Sequence, residues 1–303
     1  MQAVQYDGFG GVDVLEIRDI PRPVPGPGEV LVRVRAAGIN PGEAKLRAGA
    51  LAEMFPSTFP SGQGSDLAGE VIEAAGGFAA GDEVLGWVDT RSSHAGYAAV
   101  PAAQLFAKPV SLSWERAGSL FVAGSTAWAA VRAVAPGPGD TVVVAGAAGG
   151  VGGLAVQLAA ERGATVIGLA SERNHDWLRG YGAVPVAYGD GVADRIRAAA
   201  PDGVDALVDT VGSGYVDLAL DLGVTPDRID TIADFAALAR GLGIKGEGSA
   251  EGANRADMTA LIERLADGRL DLPVAATYPL AQVRDAFAEL ERNHTRGKIV
   301  LLP

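Results

Sequence analysis

The 303-residue chain is long enough for two domains, since one domain usually takes roughly 100 to 200 residues. Its formal net charge of −12 argues against an extended nucleic-acid partner, because such binding relies on basic patches that displace counterions from phosphates. The chain contains no cysteine, which excludes disulfides, a thiolate nucleophile and cysteine-ligated zinc. The first residues show no basic start followed by an apolar stretch, so we expect a cytoplasmic protein without a secretory signal.

The first 107 residues carry short apolar strands separated by turns, among them the proline-rich stretch PRPVPGPGE. The strand that follows this stretch alternates, with Val30, Val32 and Val34 on one face and Leu31, Arg33 and Arg35 on the other. This pattern predicts an antiparallel β region with one solvated face.

From Asp140 onward, strands alternate with helices, which is the pattern of a parallel, doubly wound α/β sheet. The predicted strands are Thr141 to Gly146, Thr165 to Ser171, Val184 to Tyr188, Asp205 to Val211 and Arg228 to Ala233. The predicted helices are Gly152 to Arg162, Glu172 to Tyr181, Val192 to Ala199 and Tyr215 to Leu222.

The last part of the chain predicts a return to the first domain. A packing helix is expected over Asn254 to Asp267, where Met258, Leu261, Ile262 and Leu265 stand at helical spacing. It is followed by a strand at Val274 to Tyr278, a helix at Ala281 to Arg292 and a strand at Lys298 to Leu302. We expect residues 1–113 and 270–303 to form one domain, with residues 114–269 inserted as the second.

The stretch from Thr141 to Ala160 contains no charged residue and is long enough to cross a bilayer as a helix. Its glycines interrupt a helical pattern, however, and Val142 to Val144 is a β-branched run suited to a strand. A buried strand, a turn and a helix are therefore favoured over a membrane span, and no membrane partner is expected.

A glycine-rich turn, AGAAGGVGG, lies between the predicted Thr141 strand and the helix after it. Within it the spacing of the dinucleotide fingerprint G-x-G-x-x-G survives, with alanine in the first place. Small residues there let the backbone approach a pyrophosphate, whose charge the helix N-terminus stabilises. We assign the cofactor contacts of this turn to Ala147, Gly149, Gly150, Val151 and Gly152.

The choice between NAD and NADP depends on the end of the second strand, which reads Ser171-Glu172-Arg173. Glu172 could accept the ribose 2′-hydroxyl of NAD. Alternatively, Glu172 caps the next helix, and Ser171 with Arg173 faces the 2′-phosphate of NADP. Spacing alone leaves both readings open.

Several phrases spread along the chain resemble the zinc-free quinone oxidoreductase group of the medium-chain dehydrogenase/reductase superfamily. They are AAGINPGEAKLRAG, GSDLAGEV, GDEVLG, VAGSTAW, the glycine-rich turn and HTRGKIVL, in the family's order. The resemblance implies a GroES-like β catalytic domain, a Rossmann domain with a doubly wound parallel sheet, and a homodimer. It also implies a small-molecule substrate reduced by a nicotinamide cofactor.

By the same resemblance, Ser171, Arg173 and Tyr188 match positions that hold the 2′-phosphate in NADP-using relatives. The resemblance therefore favours NADPH as the cofactor. Val211 and Ile232 are assigned to the cofactor site as well. Arg296 and Lys298 either reach the cofactor or only cap the last strand.

Asn40 stands where zinc-dependent cousins carry a catalytic cysteine, and the cysteine-rich structural-zinc lobe is missing. Three dispersed histidines do not replace these ligands, and His94 is expected in a loop or on the surface, so no metal site is expected. Asn40, Lys45 and Thr126 match or neighbour family positions near the nicotinamide. If these residues have no role at the nicotinamide, Asn40 is expected to form a turn, Lys45 to be solvated and Thr126 to start a helix.

The function expected from these residues is hydride transfer from NADPH to a quinone or an activated C=C. Two alternatives stay open: an enoyl or alkenal reductase of a biosynthetic pathway, and a noncatalytic NADPH-binding sensor. A tyrosine that the family often carries shortly after the RxG segment is not evident in RAGALAEMF, so a proton donor of that kind is not expected.

Overall fold

The computed structural model describes residues 1–303 and divides into two compact units. The first unit consists of Met1–Val122 and Pro273–Pro303, and the second of Ala123–Leu272. Both divisions lie further along the chain than the expected boundaries after residues 113 and 269.

The strands and helices follow one another along the chain as the alternating pattern predicted. The strands are β1 (Gln2–Tyr6), β2 (Glu16–Asp19), β3 (Glu29–Gly38), β4 (Ser61–Gly62), β5 (Asp66–Val71), β6 (Glu83–Trp87), β7 (Tyr97–Pro101), β8 (Leu105–Ala107), β9 (Thr141–Ala145), β10 (Thr165–Leu169), β11 (Val184–Val186), β12 (Ala206–Asp209), β13 (Ile229–Thr231), β14 (Val274–Pro279) and β15 (Lys298–Leu302). The helices are α1 (Pro41–Arg47), α2 (Trp114–Ala117), α3 (Phe121–Val134), α4 (Gly150–Glu161), α5 (His175–Gly180), α6 (Val192–Ala199), α7 (Tyr215–Asp221), α8 (Phe235–Ala239), α9 (Ser249–Gly252), α10 (Arg255–Ala266) and α11 (Val283–Leu290).

The first unit is built on a largely antiparallel seven-stranded sheet in which β3 pairs with β5, β7 and β15. Val30, Val32 and Val34 point into its core, as their alternation predicted. Leu31 was expected on the solvated face but is buried too, so both faces of β3 are covered at this point. A smaller sheet has the order β2-β1-β4.

The second unit contains a five-stranded sheet, all parallel, in the order β11-β10-β9-β12-β13. This is the strand order of a Rossmann sheet, in which connections run outward in both directions from the first strand. Beside β13, where a sixth strand would lie, the chain forms a single parallel bridge between Asp230 and Lys245. The doubly wound parallel sheet predicted from the alternation is confirmed.

The predicted strands of this sheet run too far at their carboxyl ends. Ser171, Tyr188, Val211 and Ala233 lie in loops, because the ladders end before them. The helix predicted over Glu172 to Tyr181 is also divided, with a 3-10 turn at Glu172–Asn174 before α5.

No helix is long and apolar enough to span a bilayer. The uncharged stretch from Thr141 to Ala160 folds as β9, a turn and most of α4. The strand, turn and helix predicted there are therefore confirmed.

We predict that the buried carboxyl of Asp230 in β13 makes the stability of the second unit depend on pH. Its Oδ1 accepts the Glu247 amide at 2.8 Å, while its buried Oδ2 has no partner. Burial raises the pKa of this carboxyl to about 7, and the charges of Glu247 and Glu251 add to the increase against the opposing charge of Lys245. The unfolded chain therefore releases this proton at lower pH than the folded chain, which lowers stability as pH rises from about 4 to about 7.

We expect Asp230→Asn to remove this dependence, because an amide does not titrate. Between pH 4 and pH 7, the free energy of unfolding of the wild type should fall relative to that of the variant by about 3 kcal/mol. Urea titrations of both proteins across that range measure the difference. Parallel curves for the two proteins would show that the carboxyl does not titrate in this range.

Candidate active site

One edge of the five-stranded sheet gathers most of the residues assigned to the cofactor. Because parallel strands all end at the same edge, the turn after β9 lies beside Ser171 after β10 and Val211 after β12. Tyr188 follows β11 and Ile232 follows β13 at the same edge. In open α/β sheets this carboxyl edge, at the point where strand order reverses, is where ligands bind.

The glycines of the turn are required by close backbone packing. Gly146 has φ 74°, and a Cβ there would lie 2.4 Å from the Thr210 Oγ1. A Cβ on Gly152 would lie 2.2 Å from the carbonyl oxygen of Gly146, which is backbone and cannot swing away. The turn and the first turn of α4 therefore pack too closely for any side chain at these two positions.

The turn fits a pyrophosphate. Helix α4 begins at Gly150, after Gly149 as its N-cap, and carries no acidic residue in its first turn. The first amides of a helix have no intrahelical acceptor, and the helix dipole gives this end a partial positive charge. The Gly149 amide already donates to the carbonyl oxygen of Gly146 at 2.9 Å, whereas Gly150 is partly exposed at the first position of the helix, so a phosphate can approach the amides from Gly150 onward.

The side chains expected at the 2′-phosphate lie in the loop after β10, next to the turn, and in the loop after β11, one strand further along the sheet. Arg173 is exposed within the 3-10 turn after β10, and Ser171 accepts a hydrogen bond at its Oγ from the Asn174 amide at 3.2 Å. Tyr188 is 48% exposed. Its loop is held by Arg195, whose guanidinium donates to the carbonyl oxygens of residues 187 to 190 at 2.8 to 3.2 Å.

Sequence reasoning missed the side chains that hold this edge together. The fully buried Asp209 accepts the amides of Val211 and Gly212 at Oδ1, both at 2.9 Å, and the Thr231 hydroxyl at Oδ2 at 2.7 Å. Thr210 donates to the carbonyl oxygen of Ala145 at 2.7 Å. A charged residue ending an apolar strand, as Asp209 does, was the available signal.

The first unit contains a buried polar network around Asn40. Lys298 donates from Nζ to the Asn40 Oδ1 at 2.5 Å and to the carbonyl oxygen of Ile39 at 3.1 Å. It also lies 3.3 Å from the Asp66 Oδ2, which accepts the Asn40 amide at 3.2 Å. Asp66 is fully buried and binds the Val122 amide at 2.8 Å through its other oxygen. Both ends of the Asn40 amide are therefore engaged inside the unit.

Glu43 extends this network on α1. Its carboxylate accepts the backbone amides of Asn40 and Ser65, both at 3.0 Å, and the Asn40 side-chain amide at 3.2 Å. Burial, with the negative charge of Asp66 as the second cause, raises the pKa of the Glu43 carboxyl to about 7. This group therefore changes charge near neutral pH.

His94, which was expected in a loop or on the surface, lies in a loop, and this loop is buried, with His94 1% exposed. Its Nε2 lies 3.3 Å from the carbonyl oxygen of Gly38 and 3.9 Å from Glu43. Burial lowers the pKa of the ring to about 4, so it is neutral at pH 7. Since a carbonyl only accepts, we assign the ring proton to Nε2.

Family models match both parts of the chain. Residues 26–110 match the alcohol dehydrogenase GroES-like domain, and residues 181–301 match a family described as zinc-binding dehydrogenase.

Two relatives illustrate the similarity. The "Quinone-oxidoreductase homolog, chloroplastic" of Spinacia oleracea is 33% identical over 195 residues, which is 60% of this chain but only 59% of that protein. The "NADPH-dependent alkenal/one oxidoreductase, chloroplastic" of Arabidopsis thaliana is 30% identical over all of this chain and 80% of its own length.

A solved structure of a quinone oxidoreductase from Coxiella burnetii superposes with a TM-score of 0.90 at 31% identity, covering 100% of this chain and 99% of that one. The chain belongs to the medium-chain dehydrogenase/reductase superfamily, in its quinone oxidoreductase-like group. It is therefore an oxidoreductase, and the predicted fold of a GroES-like domain and a Rossmann domain is confirmed.

The catalytic assignments of this superfamily member stay predictions, and the structure adds the surroundings of each residue. Asn40 is 5% exposed at the N-cap of α1 and belongs to the buried network. Lys45 is partly exposed on the same helix. Thr126 is 5% exposed within α3 of the other unit, several residues after the helix begins, so it does not start that helix.

The two cations near the carboxyl terminus differ. Lys298 is buried, and its ammonium group binds Asn40, Asp66 and a backbone carbonyl. The group is therefore neither solvated nor a cap of the last strand. Arg296 is exposed in the loop before β15. A cofactor contact of Lys298 would require that it leave these partners.

Proposed function

We propose that this oxidoreductase reduces a quinone or an electron-poor C=C of an α,β-unsaturated carbonyl, with NADPH as the reductant and without zinc. The observation that carries the proposal is the carboxyl edge of the five-stranded sheet, which holds the glycine-rich turn, Ser171 and Arg173 after the next strand, and Tyr188 after the strand beyond it. The names of the Coxiella and Arabidopsis relatives support the two substrate classes.

The residues of the chain supply binding and orientation. When bound, NADPH would supply the hydride to an electron-poor carbon and leave as NADP⁺, and the conjugated oxygen that gains the negative charge would be neutralised by a proton from water. The turn from Ala147 to Gly152 would hold the pyrophosphate with the backbone amides at the start of α4, since the amides of Ala147 and Gly149 already donate to carbonyl oxygens. Asp209 holds the loop of Val211 in place through two hydrogen bonds of 2.9 Å, so the loop is fixed before any ligand arrives.

The donor chemistry around Asn40 supports the zinc-free part of the proposal. A zinc site needs about three converging side chains, usually thiolates, neutral imidazoles or carboxylates. Here an ammonium group lies 2.5 Å from the Asn40 oxygen and 3.3 Å from Asp66, and its positive charge would repel a divalent cation. These residues do not fit catalytic zinc, in contrast to the description of the family model that matches residues 181–301.

We predict that removal of metal ions leaves the activity unchanged. Dialysis against a chelator, followed by assay of NADPH oxidation, measures this directly. Activity that is lost on dialysis and restored by zinc would contradict the prediction.

The proposal as a whole is tested by steady-state oxidation of NADPH with a panel of quinones, enones and simple alkenals. Turnover of at least one class is expected, with no useful oxidation of simple alcohols, since the residues around Asn40 do not fit the zinc that would polarise the alcohol oxygen. Tight NADPH binding without turnover of any member would favour the noncatalytic sensor. Selective turnover of alkenals or enoyl compounds would favour a biosynthetic reductase.

We predict that Arg173→Ala weakens NADPH binding roughly ten- to a hundredfold, because a charge-assisted hydrogen bond to the 2′-phosphate contributes about 1.5 to 3 kcal/mol. NADH lacks this phosphate and should bind the variant as it binds the wild type. Fluorescence titration of both cofactors measures the two dissociation constants.

Arg179→Ala is a matched control, since Arg179 is exposed on the neighbouring helix and pairs with Asp176. It should leave both affinities unchanged. Equal losses of NADPH and NADH affinity in Arg173→Ala would assign this residue to folding. A wild-type preference for NADH would instead indicate Glu172 as the ribose ligand.

Assembly as a homodimer is proposed from the family resemblance alone. Light scattering of the purified protein tests the oligomeric state.

A further inference from the structure

A pocket lies at the opposite end of α4 from the glycine-rich turn. It encloses about 310 Å³, which is at the small end of the range for ligand pockets. Its lining residues are Trp128, Val131, Leu158, Glu161, Arg162 and Arg264, all in the second unit. Twelve helical residues separate it from the turn, or roughly 18 Å at 1.5 Å per residue.

The pocket has an apolar wall and a charged wall. Val131 and Leu158 are buried, and the Trp128 ring stands beside them with the Arg264 guanidinium 5.1 Å from its centre. Arg264 also donates from Nε to both oxygens of Glu161, at 3.0 and 3.2 Å. The charges of Arg264 and Glu161 therefore compensate each other.

Arg162 remains without a carboxylate partner. Its Nη1 donates to the carbonyl oxygen of Val131 at 3.2 Å, and no carboxylate lies within ion-pair distance of the guanidinium. Burial, followed by the charge of Arg132, holds the pKa of Arg162 below its usual range, and the charge of Glu161 opposes this shift only in part. A guanidinium is nevertheless charged at neutral pH and offers five N–H donors.

We propose that this pocket binds a small monocarboxylate with an apolar body. The carboxylate would pair with Arg162, where charge-assisted hydrogen bonds are strong and a single negative charge balances the site. The apolar body would lie against Trp128, Val131 and Leu158. This proposal does not depend on the reaction assigned to the protein.

The test uses benzoate as the probe, with benzamide as its uncharged counterpart of nearly the same shape and inorganic phosphate as an anion without an apolar body. Calorimetric titrations are carried out on the full chain with saturating NADPH, so that the pyrophosphate turn is not available to the probes. We expect benzoate to bind, and benzamide and phosphate to bind at least tenfold more weakly. Equal binding of benzamide or phosphate would overturn the proposal, as would no binding of benzoate.

Arg162→Gln should weaken benzoate roughly ten- to a hundredfold. Arg197→Gln is the control, since Arg197 is exposed on α6 and pairs with Asp194, and it should bind benzoate as the wild type does. Unchanged affinity in Arg162→Gln would overturn the proposal. If that variant does not fold, as circular dichroism would show, Arg162→Lys keeps the charge but loses the forked donors and should weaken benzoate severalfold, and unchanged affinity in Arg162→Lys would overturn the proposal.

If NADPH itself does not bind, the titrations are repeated without it, and dependence of benzoate binding on Arg162 still decides the question. If NADPH binds and added NADPH displaces benzoate, the probe occupies the turn and the proposal fails. The result is therefore distinguishable from failure of the proposed reductase function.

Discussion

Lys298→Met is expected to lower the free energy of unfolding by about 3 to 5 kcal/mol, the cost of leaving a buried charge without its partner. Lys298 is 5% exposed, and its ammonium group binds Asn40 and Asp66 at 2.5 and 3.3 Å. Methionine fills similar volume but offers no donor. Asp66, fully buried, would keep only amide donors around its negative charge. Urea denaturation of the variant and the wild type measures the loss.

A double variant separates the charge effect from lost packing. In Lys298→Met with Asp66→Asn both charges are absent, so the loss should be smaller than the sum of the two single losses by at least about 1 kcal/mol. Arg197→Met, which removes an exposed cation on α6, should change stability by no more than about 0.5 kcal/mol. Additive losses in the double variant would show that the ammonium and the carboxylate do not interact.

Gly152→Ala is expected to weaken NADPH binding at least tenfold and to lower stability by about 1 to 3 kcal/mol. The new Cβ would lie 2.2 Å from the oxygen and 2.7 Å from the carbonyl carbon of Gly146, so the turn and α4 must move apart. Such overpacking costs free energy, and the displacement changes where the helix amides point. Fluorescence titration with NADPH and urea denaturation report the two effects.

Gly180→Ala is the matched control for this substitution. Gly180 ends α5, and a Cβ there would meet nothing within 4 Å. Alanine favours helix over glycine, so this variant should be as stable as the wild type or slightly more stable, with unchanged NADPH affinity. Wild-type NADPH affinity in Gly152→Ala would mean that the turn does not hold the pyrophosphate.

The sequence by itself determined the features that depend on local pattern. Alternating strands and helices after Asp140 predicted the parallel sheet, because buried parallel strands read as apolar runs between amphipathic helices. The turn from Ala147 to Gly152 was found because its glycines follow a strand and precede a helix, an arrangement with a short and regular spacing. Strand ends were less accurate, because hydrogen-bond ladders end where the neighbouring strand ends.

Only the tertiary structure decided the environment of Asn40. Antiparallel pairing of β15 with β3 sets Leu301 opposite Ala37 and brings Lys298 to the end of β3, next to Asn40, although the two residues are 258 positions apart. Pairing of β3 with β5 brings Asp66 to the same place. Single residues of this kind carry no periodic signal, and their contacts depend on strand register between distant segments. For the same reason the sequence did not show that the loop of His94 is buried, since this burial is imposed by elements far from it in the chain.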